Sequence, residues 1–247
     1  MKCAIMQPTY LPWSGYFNLI QSVDKFVFLD DVQFEKQSWQ SRNRLVQNGQ
    51  EIWLSIPIKK HALSSKINQI SVNQQQNWQQ KHLKSLRQAY AKSPYIDEVL
   101  STLEPILFAP KEALMDYTIP MIKAFSSKLG LDVEWCYSSE ISTQGNRSKK
   151  LLEICQFLDC NQYLSPVGSK AYIEADGVFA QSNITVMYQC FQPVTYSQVK
   201  TSEFVSHLSI VDVIANIGFD QTRHYIKSVK NGAHKLDIGE GIKNDCC

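Results

Sequence analysis

The sequence predicts an α/β protein built on a mainly parallel sheet, and three observations lead to this prediction. The first residues alone read as a complete strand–helix–strand unit. Segments with apolar residues at three- and four-residue steps, the spacing of helices, recur along the chain. Short apolar runs typical of buried strands alternate with these helices, at residues 3–6, 26–29, 131–137, 162–164 and 184–188. Such alternation favours parallel pairing, because each helix returns the chain to the same end of the sheet.

The opening unit consists of a strand at 3–6, a loop at 7–13, a helix capped near Ser14 and a strand at 26–29. Units of this kind bind ligands at the carboxyl ends of their strands. The loop holds two prolines, a Tyr and a Trp, which is more than a connection requires. The structural alternative is that the prolines stiffen the loop and its aromatic rings pack at its base. The candidate binding residues at these strand ends are Gln7, Tyr10, Asp30, Asp31 and Gln33.

The later elements follow from the same patterns. Strands are predicted at 51–58 and 67–72, and helices at 77–92, 95–108, 111–129, 148–157, 169–181, 209–217 and 221–229. No strand interrupts the first three of these helices, so a helical insertion is expected at about 77–129. Residues 1–230 are therefore predicted to form a single α/β domain. A polar C-terminal tail is expected at 231–247.

The composition of the chain argues against nucleic acid, membranes and metal ions as partners. The chain of 247 residues has 25 Lys and Arg against 23 Asp and Glu, a net charge of +2, which gives no footprint for nucleic acid or a membrane surface. No apolar run reaches the roughly 20 residues that span a bilayer, and no signal-peptide core precedes Pro8. The seven cysteines are odd in number and lack Cys-x-x-Cys spacing, which favours buried thiols over a metal site or disulfides. We expect a cytoplasmic protein without membrane insertion, nucleic acid or metal.

Strand-to-helix turns offer candidate anion sites. At residues 168–170, backbone amides, a Ser hydroxyl and a Lys ammonium together suit a diphosphate, although the spacing is not that of a Walker loop. The helix starts at 14–15 and 146–148 offer similar amides. Ordinary helix-start chemistry is the alternative in each case. The binding residues predicted at these turns are Gly15, Ser165, Gly168, Ser169, Lys170 and Tyr172.

Two residues are candidate general bases. His82 lies four residues after Trp78 on a predicted helix, and an imidazole suits proton transfer near neutral pH. The alternative is a His packed under Trp78. Asp30 is the second candidate base. Arg42 and Asn43 are candidate anion and oxyanion ligands, with surface ion pairing as the alternative for Arg42.

Several motifs resemble the WbqC-like protein family. The chain reads Gln-Pro-x-Tyr-Leu-Pro-Trp-x-Gly-Tyr-Phe at 7–17 and Phe-Leu-Asp-Asp-Val-Gln at 28–33. Ser-Trp-Gln-x-Arg-Asn-Arg follows at 38–44, and Pro-x-x-Tyr-x-Gln at 193–198. The resemblance covers about residues 3–220. It implies a place in bacterial O-antigen and other surface-polysaccharide biosynthesis, with transfer of an aminoacyl (glycyl) group to an amino sugar as the suggested activity.

The main hypothesis is therefore a transferase of lipopolysaccharide assembly. It would move an acyl or aminoacyl group from a donor to the amine of a nucleotide-linked sugar. Such a reaction needs a base, an anion site and oxyanion donors. His82 or Asp30 would supply the base, residues 168–170 with Arg42 the anion site, and Gln7 or Asn43 the oxyanion donors. We expect these residues to line one cleft at the carboxyl edge of the sheet.

Two alternatives come from other classes. The first strand–helix–strand unit also resembles that of nucleotidylyltransferases, which favours a ligase that activates a carboxylate with ATP. The His-x-Gly-His pair of those enzymes is absent from this sequence. The second alternative is a non-catalytic module that binds a glycan or a sugar nucleotide. The residues identify no cofactor.

Overall fold

The structure, a computed structural model, describes residues 1–199 and 201–227. Its central feature is a five-stranded sheet in the order β5-β2-β1-β6-β7, in which every neighbouring pair is parallel. The strands are β1 (Lys2–Met6), β2 (Lys25–Phe28), β5 (Glu134–Tyr137), β6 (Gln162–Pro166) and β7 (Thr185–Gln189). Helix α1 (Ser14–Gln21) joins β1 to β2. The α/β class, the parallel sheet and the Rossmann-like opening unit predicted from the sequence are confirmed.

The sheet is covered on both faces because successive strand residues point to opposite sides. In β1 and β2, Ala4, Phe26 and Phe28 belong to the larger core, whereas Ile5 and Val27 belong to the smaller one. The larger core includes side chains of α1 and α7 (Ile210–Lys227), and the smaller includes those of α5 (Arg147–Phe157) and α6 (Lys170–Asp176). The near-continuous apolar runs of the strands reflect this double burial.

The helices predicted as an insertion at about 77–129 are present and lie between β4 (Gln50–Ser55) and β5. They are α2 (Trp78–Ala89), α3 (Ile96–Phe108) and α4 (Met115–Lys128). Their apolar side chains join the larger core of the sheet, and the ring of Phe125 on α4 meets that of Phe17 on α1 edge to face at 6.4 Å. The insertion therefore has no core separate from that of the sheet. The predicted tail at 231–247 lies outside the described residues.

The strand predictions between residues 42 and 72 need correction. β3 (Arg42–Gln47) and β4 (Gln50–Ser55) form a separate antiparallel hairpin, and β3 was not predicted. Asn48 and Gly49 both have positive φ, as the tight turn of a two-residue hairpin requires. Residues 67–72 do not form a strand and begin with a 3₁₀ turn at Ile67–Gln69. The apolar side chains of this segment are nevertheless buried.

Helix α7 closes the larger core against α1. The side-chain amides of Asn18 and Gln21 both donate hydrogen bonds to the carbonyl of Ile226, each at 2.7 Å. The sequence predicts two helices here, at 209–217 and 221–229. The structure agrees, because Gly218, with φ of 74° and ψ of 170°, is non-helical and divides α7 into two helical segments.

Replacing Gly218 with Ala is expected to lower stability by about 1–3 kcal/mol, because only glycine adopts this backbone conformation freely. An added Cβ would also lie 3.0 Å from the ring of Tyr95. Denaturant unfolding measures the loss. Gly168→Ala is the matched control, since a Cβ there meets no atom within 4 Å. Equal stability of the Gly218→Ala and Gly168→Ala variants would contradict the prediction.

Two further features concern the whole described chain. Within residues 1–199 and 201–227, none of the helices combines the length and the apolar character needed to traverse a bilayer. The thiols of Cys3, Cys155 and Cys160 are buried, and those of Cys136 and Cys190 are half-buried.

Candidate functional site

A cleft lies at the carboxyl edge of the sheet, between β1 and β6, where the strand order reverses direction. Such switch points are the usual ligand sites of open α/β sheets. A middle cavity of about 260 Å³ joins a second of about 360 Å³ and a third of about 240 Å³. Gln7 and Tyr172 line both the middle and the second cavity, and Thr9 and Trp39 line both the middle and the third. The three cavities therefore adjoin one another, and we call them together the cleft.

The second cavity forms the cationic end of the cleft. Arg147 and Lys150 line it from the first turn of α5, opposite Glu35. Lys150 forms an ion pair with Asp31, but no residue that the structure describes forms a hydrogen bond or ion pair with the Arg147 guanidinium. No side chain caps the start of α5, and the amides of Lys149 and Lys150 donate to the carbonyl of Asn146, so among the described residues only those of Arg147 and Ser148 are left for a ligand. A helix N-terminus with an unpaired Arg favours an anion.

The middle of the cleft carries an oriented amide. The Nε2 group of Gln40 donates to Oε1 of Gln7 at 2.8 Å, while Oε1 of Gln40 accepts from the amide of Glu35. These bonds fix the amide of Gln7, and no described residue accepts from its Nε2. The Gln7 Nε2 group is therefore available to donate to a ligand oxygen in the cleft.

The third cavity forms what we call the reacting end. His207 lines it beside Thr9, Asn43 and Arg44. The imidazole stacks on the ring of Trp13 at 4.9 Å, and its Nδ1 lies 2.8 Å from Oγ of Ser206. Partial burial and the positive charge of Arg44 lower the pKa of His207 below its usual value. The imidazole is therefore largely neutral at pH 7, the state that a general base requires.

Backbone contacts place His207 at this end. Trp13 and Ser209 form an isolated antiparallel bridge, and the amide of Ser209 donates to the carbonyl of Arg44. The loop that carries His207 is thereby held against both the opening loop and β3. Neither periodicity nor a motif in the sequence marked His207, which the sequence analysis did not identify.

His82 does not line the cleft. Its side chain is 6% exposed, its Nδ1 lies 2.8 Å from the hydroxyl of Tyr10, and its ring packs edge to face against Trp78. Burial lowers the pKa of His82 to about 4, although a hydrogen bond with the backbone of Ser55 raises it slightly. The expectation that His82 and Tyr10 share a cleft with Gln7 is therefore wrong, because Tyr10 points into the core to meet α2.

Asp30 and Gln33 also lie outside the cleft. Asp30 is 1% exposed and accepts hydrogen bonds from the hydroxyls of Ser138 and Ser139 and from the Ser139 amide. It thus holds the 3₁₀ turn that follows β5. Gln33 is exposed and donates to the carbonyl of Leu63. These contacts favour structural roles for both residues.

The two predicted residues of β3 differ in position. Asn43 lines the reacting end, but its Nδ2 donates to the carbonyls of Tyr10 and Leu11. Both of its amide hydrogens are used, so it shapes the opening loop and cannot donate to an oxyanion. Arg42 stacks over the ring of Trp53, with 4.3 Å from Cζ to the ring centroid, instead of pairing with an acidic residue.

The predicted anion site at the start of α1 is closed. Ser14 and Gly15 are buried, and a Cβ on Gly15 would lie 2.2 Å from the ring of Trp13. The indole thus covers the helix N-terminus and leaves no room for a phosphate.

The turn after β6 contributes only part of its predicted set to the cleft. Ser169 and Tyr172 line the middle cavity. Lys170 instead lies over the ring of Tyr188 and 3.9 Å from Glu174, Gly168 is exposed, and Ser165 is fully buried. Of the predicted site residues, the cleft brings together Gln7, Asn43, Ser169 and Tyr172.

Comparisons with known proteins agree with the resemblance noted in the motifs. No solved structure matches the chain significantly. The chain is 26% identical over 219 residues to the uncharacterized protein Rv1507c of Mycobacterium tuberculosis, covering 88% of this chain and 94% of that protein. The sequence profile of the WbqC-like protein family matches residues 7–224. Because this match spans most of the chain, the protein belongs to the WbqC-like protein family.

Proposed function

We propose that the protein is a transferase of surface-polysaccharide assembly that moves an acyl or aminoacyl group to the amine of a nucleotide-linked amino sugar. One observation carries the proposal. Adjoining cavities at the switch point of the sheet link an end with Arg147, with which no described residue pairs, to an end with a neutral imidazole, His207. A diphosphate requires the first of these features and deprotonation of an amine requires the second.

The cationic end would bind the diphosphate. Arg147 would form charge-assisted hydrogen bonds to its oxygens, and the free amides at the start of α5 would add to them. Lys150 would contribute its charge while keeping its pair with Asp31. The sugar would then occupy the middle of the cleft, against Ser169 and Tyr172.

The amine would meet the acyl donor at the reacting end. The Nδ1 atom of His207 is engaged with Ser206, so Nε2 would take the proton as the amine nitrogen forms its bond to the acyl carbonyl carbon. The carbonyl oxygen would lie where the middle cavity meets the reacting end, so that the hydroxyl of Thr9, which lines both, and the Nε2 group of Gln7 from the middle cavity would stabilise its negative charge. The bond from the acyl carbon to the donor then breaks, and His207 returns the proton to the leaving group.

One feature of the structure favours the ATP-dependent alternative and another argues against it. The strand order places the cleft where nucleotide-binding α/β proteins bind their ligands. The N-terminus of α1, which would hold the ATP phosphates in a nucleotidylyltransferase-like ligase, is covered by Trp13. Activation of the donor by ATP in this protein would therefore need another phosphate site.

Replacing Arg147 with Ala is expected to weaken binding of UDP-glucosamine about 10- to 100-fold. That loss corresponds to the roughly 1.5–3 kcal/mol of a hydrogen bond to a charged group. Isothermal titration calorimetry measures it, with glucosamine as the control ligand that lacks a diphosphate. Lys170→Ala is the matched variant, because Lys170 lies over Tyr188 instead of in the cleft. A larger loss in Lys170→Ala than in Arg147→Ala would place the diphosphate at the turn after β6.

A further inference from the structure

An exposed aromatic pair borders the cleft. The side chains of Trp39 and Trp53 are 48% and 44% exposed, and their ring centroids are 5.3 Å apart with the planes tilted by 34°. Tryptophan is buried on average, and adjacent exposed rings of this size mark binding surfaces more often than ordinary protein surface. We call these two residues, with Arg42, the aromatic platform.

The hairpin explains how the aromatic platform is held. Asn43 and Leu45 on β3 face the core, so Arg42 and Arg44 point to the opposite face. Trp53 on β4 lies directly across from Arg44 and shares that face. The Arg42 guanidinium is 4.3 Å from the Trp53 ring centroid, and no described residue forms an ion pair or hydrogen bond with it. The guanidinium therefore covers one face of the Trp53 ring and has no acidic partner among the described residues.

The aromatic platform continues from the reacting end of the cleft. Trp39 lines both the middle cavity and the reacting end but does not line the cationic end. A diphosphate bound by Arg147 would thus lie at the opposite end of the cleft from the aromatic platform. The ligand of the aromatic platform would be the second substrate, which has to approach the reacting end.

We propose that the aromatic platform binds the adenine nucleotide portion of the acyl donor. The base stacks on the indole surface of Trp39 and Trp53 that Arg42 leaves exposed, and Arg42 binds a phosphate oxygen. Stacking of a base on an aromatic ring, with an Arg beside it, is a common way to hold a nucleotide. The inference rests on the proposed function, because it assigns the donor side of the same cleft. An acyl-adenylate, an acyl-CoA and the terminal adenosine of an aminoacyl-tRNA all present this chemistry.

The experiment measures binding of AMP, adenosine and ribose 5-phosphate by calorimetry. We expect Trp53→Ala to weaken AMP binding about 5- to 100-fold, and Trp53→Phe, which keeps a ring, to weaken it less. Arg42→Gln should weaken binding of AMP but not of adenosine. Phe157→Ala is the matched control, since it removes an exposed ring at the end of α5 remote from the cleft. The affinities of the wild type for coenzyme A, the trinucleotide CCA and AMP are also compared. The compound that binds most tightly indicates the class of acyl donor.

Three results would overturn the proposal. The first is equal AMP affinity of the wild type and Trp53→Ala, the second is equal affinity of the wild type for ribose 5-phosphate and AMP, and the third is no AMP binding at all. UDP-glucosamine binding separates this proposal from the proposed function, because Trp53→Ala should leave it unchanged. If UDP-glucosamine fails to bind while AMP binding depends on Trp53, the proposed function fails and the aromatic platform remains a nucleotide site.

Discussion

The His207→Gln variant is expected to transfer the acyl group about 10²- to 10⁴-fold more slowly than the wild type, with an unchanged melting temperature. The imidazole is exposed and stacks on Trp13 at one side only, so its loss leaves no cavity in the core. The rate would be followed by mass spectrometry of product, with UDP-glucosamine as acceptor and either glycyl-tRNA or ATP with glycine as donor. His224→Gln, which changes an exposed His on α7, should keep full activity.

The pH dependence gives a second test of the same assignment. Because the pKa of His207 is lowered, kcat/KM of the wild type should rise with pH through a midpoint below the usual 6.5 and then remain level. Arg44→Gln removes the neighbouring positive charge and should move this midpoint to higher pH. If His207→Gln has the same rate and the same pH profile as the wild type, His207 is not the base.

The second large effect concerns stability in acid. The pKa of His82 is about 4 in the folded chain and about 6.5 in the unfolded chain, so below pH 6.5 the unfolded state binds a proton that the folded state excludes. The stability that comes from a neutral His82 is thus fully present above pH 6.5 and is lost as the pH falls to about 4. The loss reaches about 3 kcal/mol, which is large against the total stability of a domain.

Denaturant unfolding of His82→Gln at pH 7 and at pH 4 would measure this contribution. The variant should lose about 1–3 kcal/mol at pH 7, where the contact with Tyr10 is broken, and should fall less than the wild type between the two pH values. His224→Gln should retain the wild-type dependence on pH. Activity per folded molecule should be preserved in His82→Gln. A loss of activity without a loss of stability would instead support a catalytic role for His82.

The sheet was predictable because each of its strands is an apolar run closed by turn residues, and parallel burial on both faces leaves that signature. β3 escaped prediction because its buried positions include Asn43, so the run reads as polar. The Asn48–Gly49 turn was the available signal, since that dipeptide suits the positive φ of a tight hairpin. The break within α7 was predictable because glycine usually ends a helix, and Gly218 adopts a non-helical conformation there.

The site was predictable only in position. The carboxyl edge of the sheet follows from the strand order, and Gln7 and Ser169 lie there because they directly follow β1 and β6. Asp30 also follows a strand, but a carboxylate in that position can hold the next turn as readily as a ligand, and it bonds Ser139. His207 could not be predicted, because only the folding of a distant loop onto β3 brings it to the cleft.

The hydrogen bonds that join α1 to Ile226 have a consequence for synthesis on the ribosome. Asn18 and its acceptor are 208 residues apart, so about 10–40 s of translation separate them at typical rates of synthesis. Until α7 emerges, the apolar face of α1 lacks the helix that covers it. The larger core therefore closes only after nearly the whole described chain has been made. Until then the nascent chain exposes an apolar surface.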